Sequence, residues 1–209
     1  PECFFALDGE QIYSQPMKGT ASRKNDPATD QAQRDWLAAS TKNQAENLMI
    51  TDMVRNDLGR IAEPGSVQVS KLFAMERYPT VWQMTSRVEA RTQASVTEIF
   101  RELFPAASIT GAPKRASMLH IRDLETTPRE IYTGAIGYIA PKRQAHFNIA
   151  IRTALIDNAS GVARYGAGGG VVWDSKPVEE HAELISKTRI LKQAIAWEEF
   201  ALFETMAWS

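Results

Sequence analysis

Lys18 stands in the run Gln15-Pro16-Met17-Lys18-Gly19-Thr20. Deprotonated, through desolvation or a neighbouring cation, such an amine is a nucleophile; the plainer reading is a solvated loop lysine, the usual setting for this residue type. Glu180, Glu183 and Lys187 recur at i, i+3 and i+7, which puts two carboxylates and an ammonium on one helix face. Glu46, in Ala45-Glu46-Asn47-Leu48-Met49, adds a carboxylate from a second helix. Carboxylates from two helices suit Mg²⁺, which takes oxygen ligands and shares them with substrate; an ordinary solvated charged face is the alternative. The cluster Gly166-Ala167-Gly168-Gly169-Gly170 lets backbone N–H groups approach an anion, or simply bends a strand. It lacks the strand–loop–helix context of a dinucleotide fingerprint. Arg152, expected in mid-strand within Asn148-Ile149-Ala150-Ile151-Arg152-Thr153-Ala154, needs a partner if buried: a ligand carboxylate held bidentately, or an internal Asp or Glu.

The elements that position these groups come in mixed order. Glu2 to Tyr13 reads as a hairpin turned at Asp8-Gly9. Gln15 to Asn25 reads as a polar loop carrying Lys18. Helices are expected over Pro27–Ser40 and Thr41–Leu58, the second with Leu48, Thr51, Val54 and Leu58 on one stripe. Val67–Phe73 and Val81–Val88 are β-rich. Ser95–Phe104 is a helix stopped by Pro105, and Gly111-Ala112-Pro113 opens another to about Leu124. Three strand-like segments follow, Ile131–Ile139, His146–Ile156 and Val162–Trp173, then a helix over Lys176–Ala196 capped by Asp174 or Ser175. Such mixed order predicts an α+β fold with largely antiparallel sheets flanked by helices.

Bulk properties narrow the function classes. The chain has 209 residues, 44% of them hydrophobic, and a formal net charge of -1. That supports a sizeable core and gives no basic field toward nucleic acid or an anionic membrane. No apolar run is long enough to cross a bilayer. Cys3 is the single cysteine, which excludes an intrachain disulfide and fits a reducing, cytoplasmic setting. Pro1-Glu2-Cys3-Phe4-Phe5 reads as the inside of a strand, so a fragment lacking its N-terminal part is expected.

Several runs together resemble the chorismate-utilising enzymes, which include anthranilate, aminodeoxychorismate, isochorismate and salicylate synthases. They are Leu48-Met49-Ile50-Thr51-Asp52-Met53-Val54-Arg55-Asn56-Asp57, Ser108-Ile109-Thr110-Gly111-Ala112-Pro113-Lys114, Gly134-Ala135-Ile136-Gly137-Tyr138, Ile151-Arg152, the glycine cluster and the Glu180/Glu183/Lys187 helix. The resemblance implies a chorismate-binding fold over residues 1–198 and Mg²⁺ held by Glu46 and Glu183 with Glu180 beside them. It implies chorismate carboxylates held by Arg152, Tyr138, Lys187 and the backbone at Gly168 and Gly169, with Ser108 and Thr110 near the ring. Glu2 matches the acid that assists loss of the ring hydroxyl. Gln83 departs from the family: anthranilate synthases carry a histidine there, near the pyruvyl group, so the change disfavours pyruvate elimination.

Lys18 then points to the aminodeoxychorismate synthase branch, since anthranilate synthases have alanine at that place. Its implied role is to attack ring carbon 2, after which ammonia from a glutamine amidotransferase partner displaces it from carbon 4. No Cys–His–Glu glutaminase set is readable here. Residues 199–209, with Phe200-Ala201-Leu202-Phe203-Glu204-Thr205-Met206-Ala207-Trp208, resemble the opening strand of a fused aminodeoxychorismate lyase; a tail packed on the parent domain is the alternative.

Overall fold

The computed structural model describes residues 2–173, 175–188 and the backbone of 204–208. The chain divides into two compact units, one of Glu2–Phe104 with Gly137–Asn148, the other of Pro105–Ile136 with residues 149 onward.

The first unit is built on a seven-stranded sheet. β1 (Cys3–Asp8) and β2 (Gln11–Gln15) form the expected hairpin. Because Asp8 pairs with Gln11, the two-residue loop is Gly9-Glu10 rather than Asp8-Gly9, with Gly9 at φ 60°. β3 (Met17–Ser22), β4 (Gln68–Arg77) and β5 (Val81–Arg91) follow, and all three pairings of β5, with β2, β3 and β4, are antiparallel. β6 (Ala135–Ala140) and β7 (Gln144–Ile149) complete the sheet beyond β1. The expected loop at Gln15–Asn25 is therefore mostly strand, and β4 and β5 each run about three residues longer than their apolar cores predict.

Helices α1 (Pro27–Ala39), α2 (Thr41–Gly59) and α3 (Val96–Leu103) cover the sheet within this unit. Their starts follow from side-chain caps: Asp26 accepts from Thr29 N, Ser40 from Asn43 N, and Ser95 forms a capping box with Glu98. The buried stripe of α2 is Asn47, Ile50, Thr51, Val54, Asp57 and Leu58. Leu48, expected on that stripe, is exposed. Phe4, Phe5, Phe100, Phe104 and Phe147 meet edge-on or tilted at centroid distances of 4.8 to 6.4 Å, and Ala21, Leu37 and Met84 form a second cluster beneath Trp82 and Met75.

The second unit carries a 3₁₀ turn (Ala107–Ile109), α4 (Lys114–Leu124), the hairpin β8 (Ala154–Asp157) with β9 (Val162–Tyr165), β10 (Ala167–Val171) and α5 (Pro177–Lys187). Two of the long strands expected here are broken. His146–Ile156 stops at Ile149, because Arg152 adopts φ 54° between β7 and β8; the expectation of a mid-strand arginine is thereby corrected. Val162–Trp173 splits at Gly166, where a Cβ would lie 2.3 Å from the Tyr132 ring, so only glycine permits that approach. α5 starts at Pro177, with Lys176 at the N-cap making no side-chain cap; Asp174 lies outside the described residues, and Ser175 instead accepts from Val172 N at 3.0 Å. The expected continuation of α5 to Ala196 lies outside the described residues, as do 199–203 and 209 of the tail. β11 (Glu204–Trp208) pairs in parallel with β10, Ala167 opposite Glu204.

Candidate functional site

Lys18 sits in a bulge. The β3–β5 register runs Met17 opposite Thr85 and then shifts before Thr20 opposite Gln83, which leaves Lys18 and Gly19 out of the regular ladder. A bulge re-aims the side chain it carries. Gly19 is at φ 91°, and a Cβ there would meet Asn43 Cβ at 3.0 Å, so the position requires glycine on both counts. The carbonyls freed by the bulge find amide donors: Gln83 Nε2 donates to Gly19 O at 2.8 Å, and Asn47 Nδ2 lies 3.5 Å from Lys18 O and 3.4 Å from Met84 O. Thr20 Oγ1 donates to Gln83 Oε1 at 2.9 Å. Ser86 Oγ donates to Asn47 Oδ1, and Thr51 Oγ1 back-bonds to Asn47 O at 2.7 Å. Asn47 and Ser86 are fully buried and Thr51 nearly so. Lys18 itself is half-buried.

Of the other expected groups in this unit, Glu2 is buried at the foot of β1 and Glu46 is half-buried on α2, one residue before Asn47. Tyr138 is largely exposed on β6 and stacks on His146 with an interplanar angle of 15°. Burial pushes the Cys3 thiol up to about 11, so it is a poor thiolate at neutral pH.

In the second unit, α5 and the glycine strand bring several expected residues together. Lys187 Nζ donates to Gly168 O at 2.7 Å and pairs with Glu183 Oε1 at 2.7 Å. Glu180 Oε1 accepts from Ser175 Oγ at 2.6 Å, while a Cβ on Gly169 would lie 3.5 Å from Glu180 Oε2 and 3.9 Å from Lys187 Nζ. Arg152 Nη1 donates to Lys187 O at 3.4 Å, so the guanidinium reaches the same helix end. Thr110 is buried, its hydroxyl donating to Ala106 O and Ala107 O at 3.2 and 3.3 Å. Ser108 has a buried Oγ with no hydrogen-bond partner among the described residues, a group that a ligand or water would satisfy. Arg129 Nη1 donates to Ile109 O at 3.2 Å and forks onto Glu125, fixing the turn that carries Ser108.

The expected residues thus fall into two sets, Glu2, Lys18, Glu46 and Tyr138 in one unit and the remaining eight in the other. Among the described residues, no group of three or more His, Cys, Asp or Glu side chains is gathered to hold a metal. Asn47 was not among the sequence candidates. Its signal was legible nonetheless: a polar residue at the head of an otherwise closed helical stripe, positions 47, 50, 51, 54 and 58.

Residues 1–193 match the family described as chorismate binding enzyme. The chain is 43% identical over 194 residues to aminodeoxychorismate synthase component 1 of Salmonella typhimurium, covering 91% of this chain and 42% of that protein. It is 36% identical over 203 residues to anthranilate synthase component 1 of Streptomyces coelicolor, covering 96% of this chain and 39% of that protein. The fold superposes on the menaquinone-specific isochorismate synthase of Escherichia coli with a TM-score of 0.82 at 25% identity, over 92% of this chain and 44% of that one. The chain spans less than half the length of these relatives. The α+β architecture, the glycine strand facing an acidic helix and the match along almost the whole sequence lead to one assignment: this chain belongs to the chorismate binding enzyme family.

Proposed function

We propose that this chain forms part of an aminodeoxychorismate synthase component 1, which converts chorismate and ammonia to 4-amino-4-deoxychorismate and water on the route to para-aminobenzoate and folate. The observation that carries the reading is Lys18, lifted out of the β3–β5 ladder by a bulge. In the proposed reaction its neutral amine bonds to ring carbon 2, the ring double bonds shift, and the carbon-4 hydroxyl leaves with a proton from Glu2. Ammonia then bonds to carbon 4, the double bonds shift back, and the lysine amine leaves with the pair. The amino group ends para to the ring carboxylate.

Arg152, Lys187 and the backbone at Gly168 and Gly169 are the proposed cradle for the chorismate carboxylates, with Ser108 and Thr110 toward the ring; Tyr138 is proposed as a further carboxylate-binding group. A substrate carboxylate offers Lys187 a stronger partner than a main-chain carbonyl. The donor set on α5 fits Mg²⁺: Glu180 and Glu183 are hard oxygen ligands one turn apart, and one or two carboxylates completed by substrate is the usual mode for this ion. Glu180 and Glu183 would hold it, and when bound it would neutralise substrate carboxylate charge. Ammonia comes from a glutamine amidotransferase partner, since the half-buried Cys3 is the chain's only cysteine and its thiol is held up at about 11. We place the enzyme in the cytoplasm; no helix among the described residues is long and apolar enough to cross a membrane. A fused aminodeoxychorismate lyase beyond residue 198 remains part of the proposal, although the pairing of β11 with β10 favours the alternative of a tail packed on the parent domain.

The test is the product formed by the full-length protein from chorismate, ammonium and Mg²⁺. The para-amino product supports the reading. Anthranilate with release of pyruvate would favour the activity named for the Streptomyces coelicolor relative, and chorismate binding without turnover would leave only a binding module.

A further inference from the structure

We propose that Asn47 and Gln83 are positioning residues for Lys18, two neutral amides that grip the main chain around the Lys18–Gly19 peptide and so fix where the amine is presented. This rests on the reading of Lys18 as nucleophile. The bulge removes two carbonyls from the strand ladder, and buried carbonyls need partners. Gln83, directly opposite Thr20, takes one of them: its Nε2 holds Gly19 O at 2.8 Å, while its Oε1 receives the Thr20 hydroxyl at 2.9 Å. Asn47 spreads its two N–H donors between Lys18 O and Met84 O, on β3 and β5, at 3.5 and 3.4 Å. Its oxygen is held in turn by Ser86 and, at 3.4 Å, by Thr51.

Asn47 is fully buried on a stripe where an aliphatic side chain would gain burial energy. Its retention is explained by its hydrogen bonds: two N–H donors reaching main-chain carbonyls and an oxygen that accepts from Ser86. Ser86 extends the network to a second irregularity, because its Oγ accepts from the N–H of Phe73, itself at φ 55° in β4. One helix residue thus ties bulges on strands flanking β5. The choice of amides matters chemically. A carboxylate at either place would favour the ammonium form of a nearby lysine, whereas a neutral amide leaves the amine free to react. Gln83, the departure from the anthranilate synthase pattern, acquires a role: it braces the nucleophile where that pattern has a histidine.

The experiment uses the full-length protein with chorismate, ammonium and Mg²⁺. It measures the rate of chorismate adduct formation on Lys18 by quenched-flow mass spectrometry, chorismate affinity by titration and the thermal midpoint. Gln83→Leu, at a half-buried position, should slow adduct formation on the order of 10-fold, as loss of near-attack geometry does, with chorismate affinity and the thermal midpoint nearly unchanged. Gln83→Met, close in shape and uncharged but without the N–H donor, should slow it similarly, which excludes both lost packing and an added charge as the cause. Asn47→Leu, uncharged and of similar volume, tests the second amide; where it fails to fold, the Gln83 pair decides. An unaltered adduct rate in both Gln83 variants, with Lys18 essential, overturns the clamp alone. Full para-amination by Lys18→Ala overturns the nucleophile reading and the clamp with it. Equal losses of adduct rate and chorismate affinity would mark Gln83 as a binding residue and also overturn the proposal.

Discussion

Two lysines in this molecule are held against main chain by opposite means. At the β3 bulge, Lys18 is gripped through its own backbone, by the neutral side chains of Asn47 and Gln83. At the end of α5, Lys187 is held through its ammonium, which bonds to Gly168 O and pairs with Glu183. The first arrangement fixes a position and leaves the amine's charge state to its surroundings. The second fixes a charge and leaves it exchangeable, because a carbonyl and a half-exposed Glu183 are partners that an incoming carboxylate can replace. The difference is what the proposed nucleophile and the proposed anion receptor respectively need. Substitutions in the two regions should therefore fail differently.

The largest effect is expected at Lys18. Lys18→Ala should lower para-amination by roughly 10³-fold or more, the scale seen when a covalent catalyst is removed, while chorismate still binds. Product chromatography and intact-mass detection of an adduct in the parent but not the variant check both parts. Retained affinity is what separates the bulge from α5 in this comparison.

Next in size is Arg152→Lys. It keeps a charge near the α5 terminus but loses the planar fork, and chorismate should bind more weakly by about 2 kcal/mol. The adduct rate at saturating chorismate should change little. A slower adduct step at saturation would blur the distinction between holding and reacting.

How far the sequence reached is instructive at these same residues. Helix boundaries were accurate because Asp26, Ser40 and Ser95 cap their helices locally, and capping is written in a few adjacent residues. The α5 face was likewise legible, since i, i+3, i+7 spacing determines which side chains share a face. The Lys18 strand was not legible. Polar residues and Gly19 read as a loop, and only long-range pairing with β5 makes that segment a bulged strand. Arg152 was misplaced for a related reason: its apolar neighbours continue a strand pattern, while its own φ of 54° breaks it. Asn47 escaped because a polar residue on a helical stripe, here together with Thr51 and Asp57, shows its partners only in three dimensions.

A smaller effect should come from Gly19→Ala. Added to a backbone at φ 91° and facing Asn43 Cβ at 3.0 Å, the methyl group should destabilise the fold by about 1–3 kcal/mol. It should also slow adduct formation, measured beside urea unfolding. Glu183→Gln gives the counterpart on α5. Loss of the Lys187 pair, with Glu183 57% exposed, should change stability by less than about 1 kcal/mol, yet Mg²⁺-dependent activity should largely disappear. Full activity in Glu183→Gln would remove Glu183 from the proposed metal ligands.

The smallest effect concerns pH and isolates the scaffold of Lys18 from its chemistry. β3 ends against α1 through Asp30, whose carboxylate receives Arg23 Nε at 2.8 Å, Lys24 N at 2.9 Å and Trp82 Nε1 at 3.1 Å. The bond from the Arg23 side chain, with the others, holds the Asp30 carboxyl down at about 2, against an ordinary 3.8. A depressed carboxyl contributes stability that is present above its unfolded pKa and lost as pH falls through the folded one. The Asp30 contribution should therefore be constant above about pH 5 and drain away between about pH 4 and 2. The Asn47 and Gln83 amides do not titrate in that range or above it. From about pH 6 to 9, then, nothing in this network that holds the bulge changes charge, and the pH dependence of adduct formation there belongs to the reacting groups. Asp30→Asn should lower stability by an amount that is flat across neutral pH and shrinks in acid, read from urea titrations at a series of pH values. It should leave the shape of the adduct pH profile unaltered. A shifted profile in Asp30→Asn would mean that the charged end of β3, and not only the neutral amides, governs the amine.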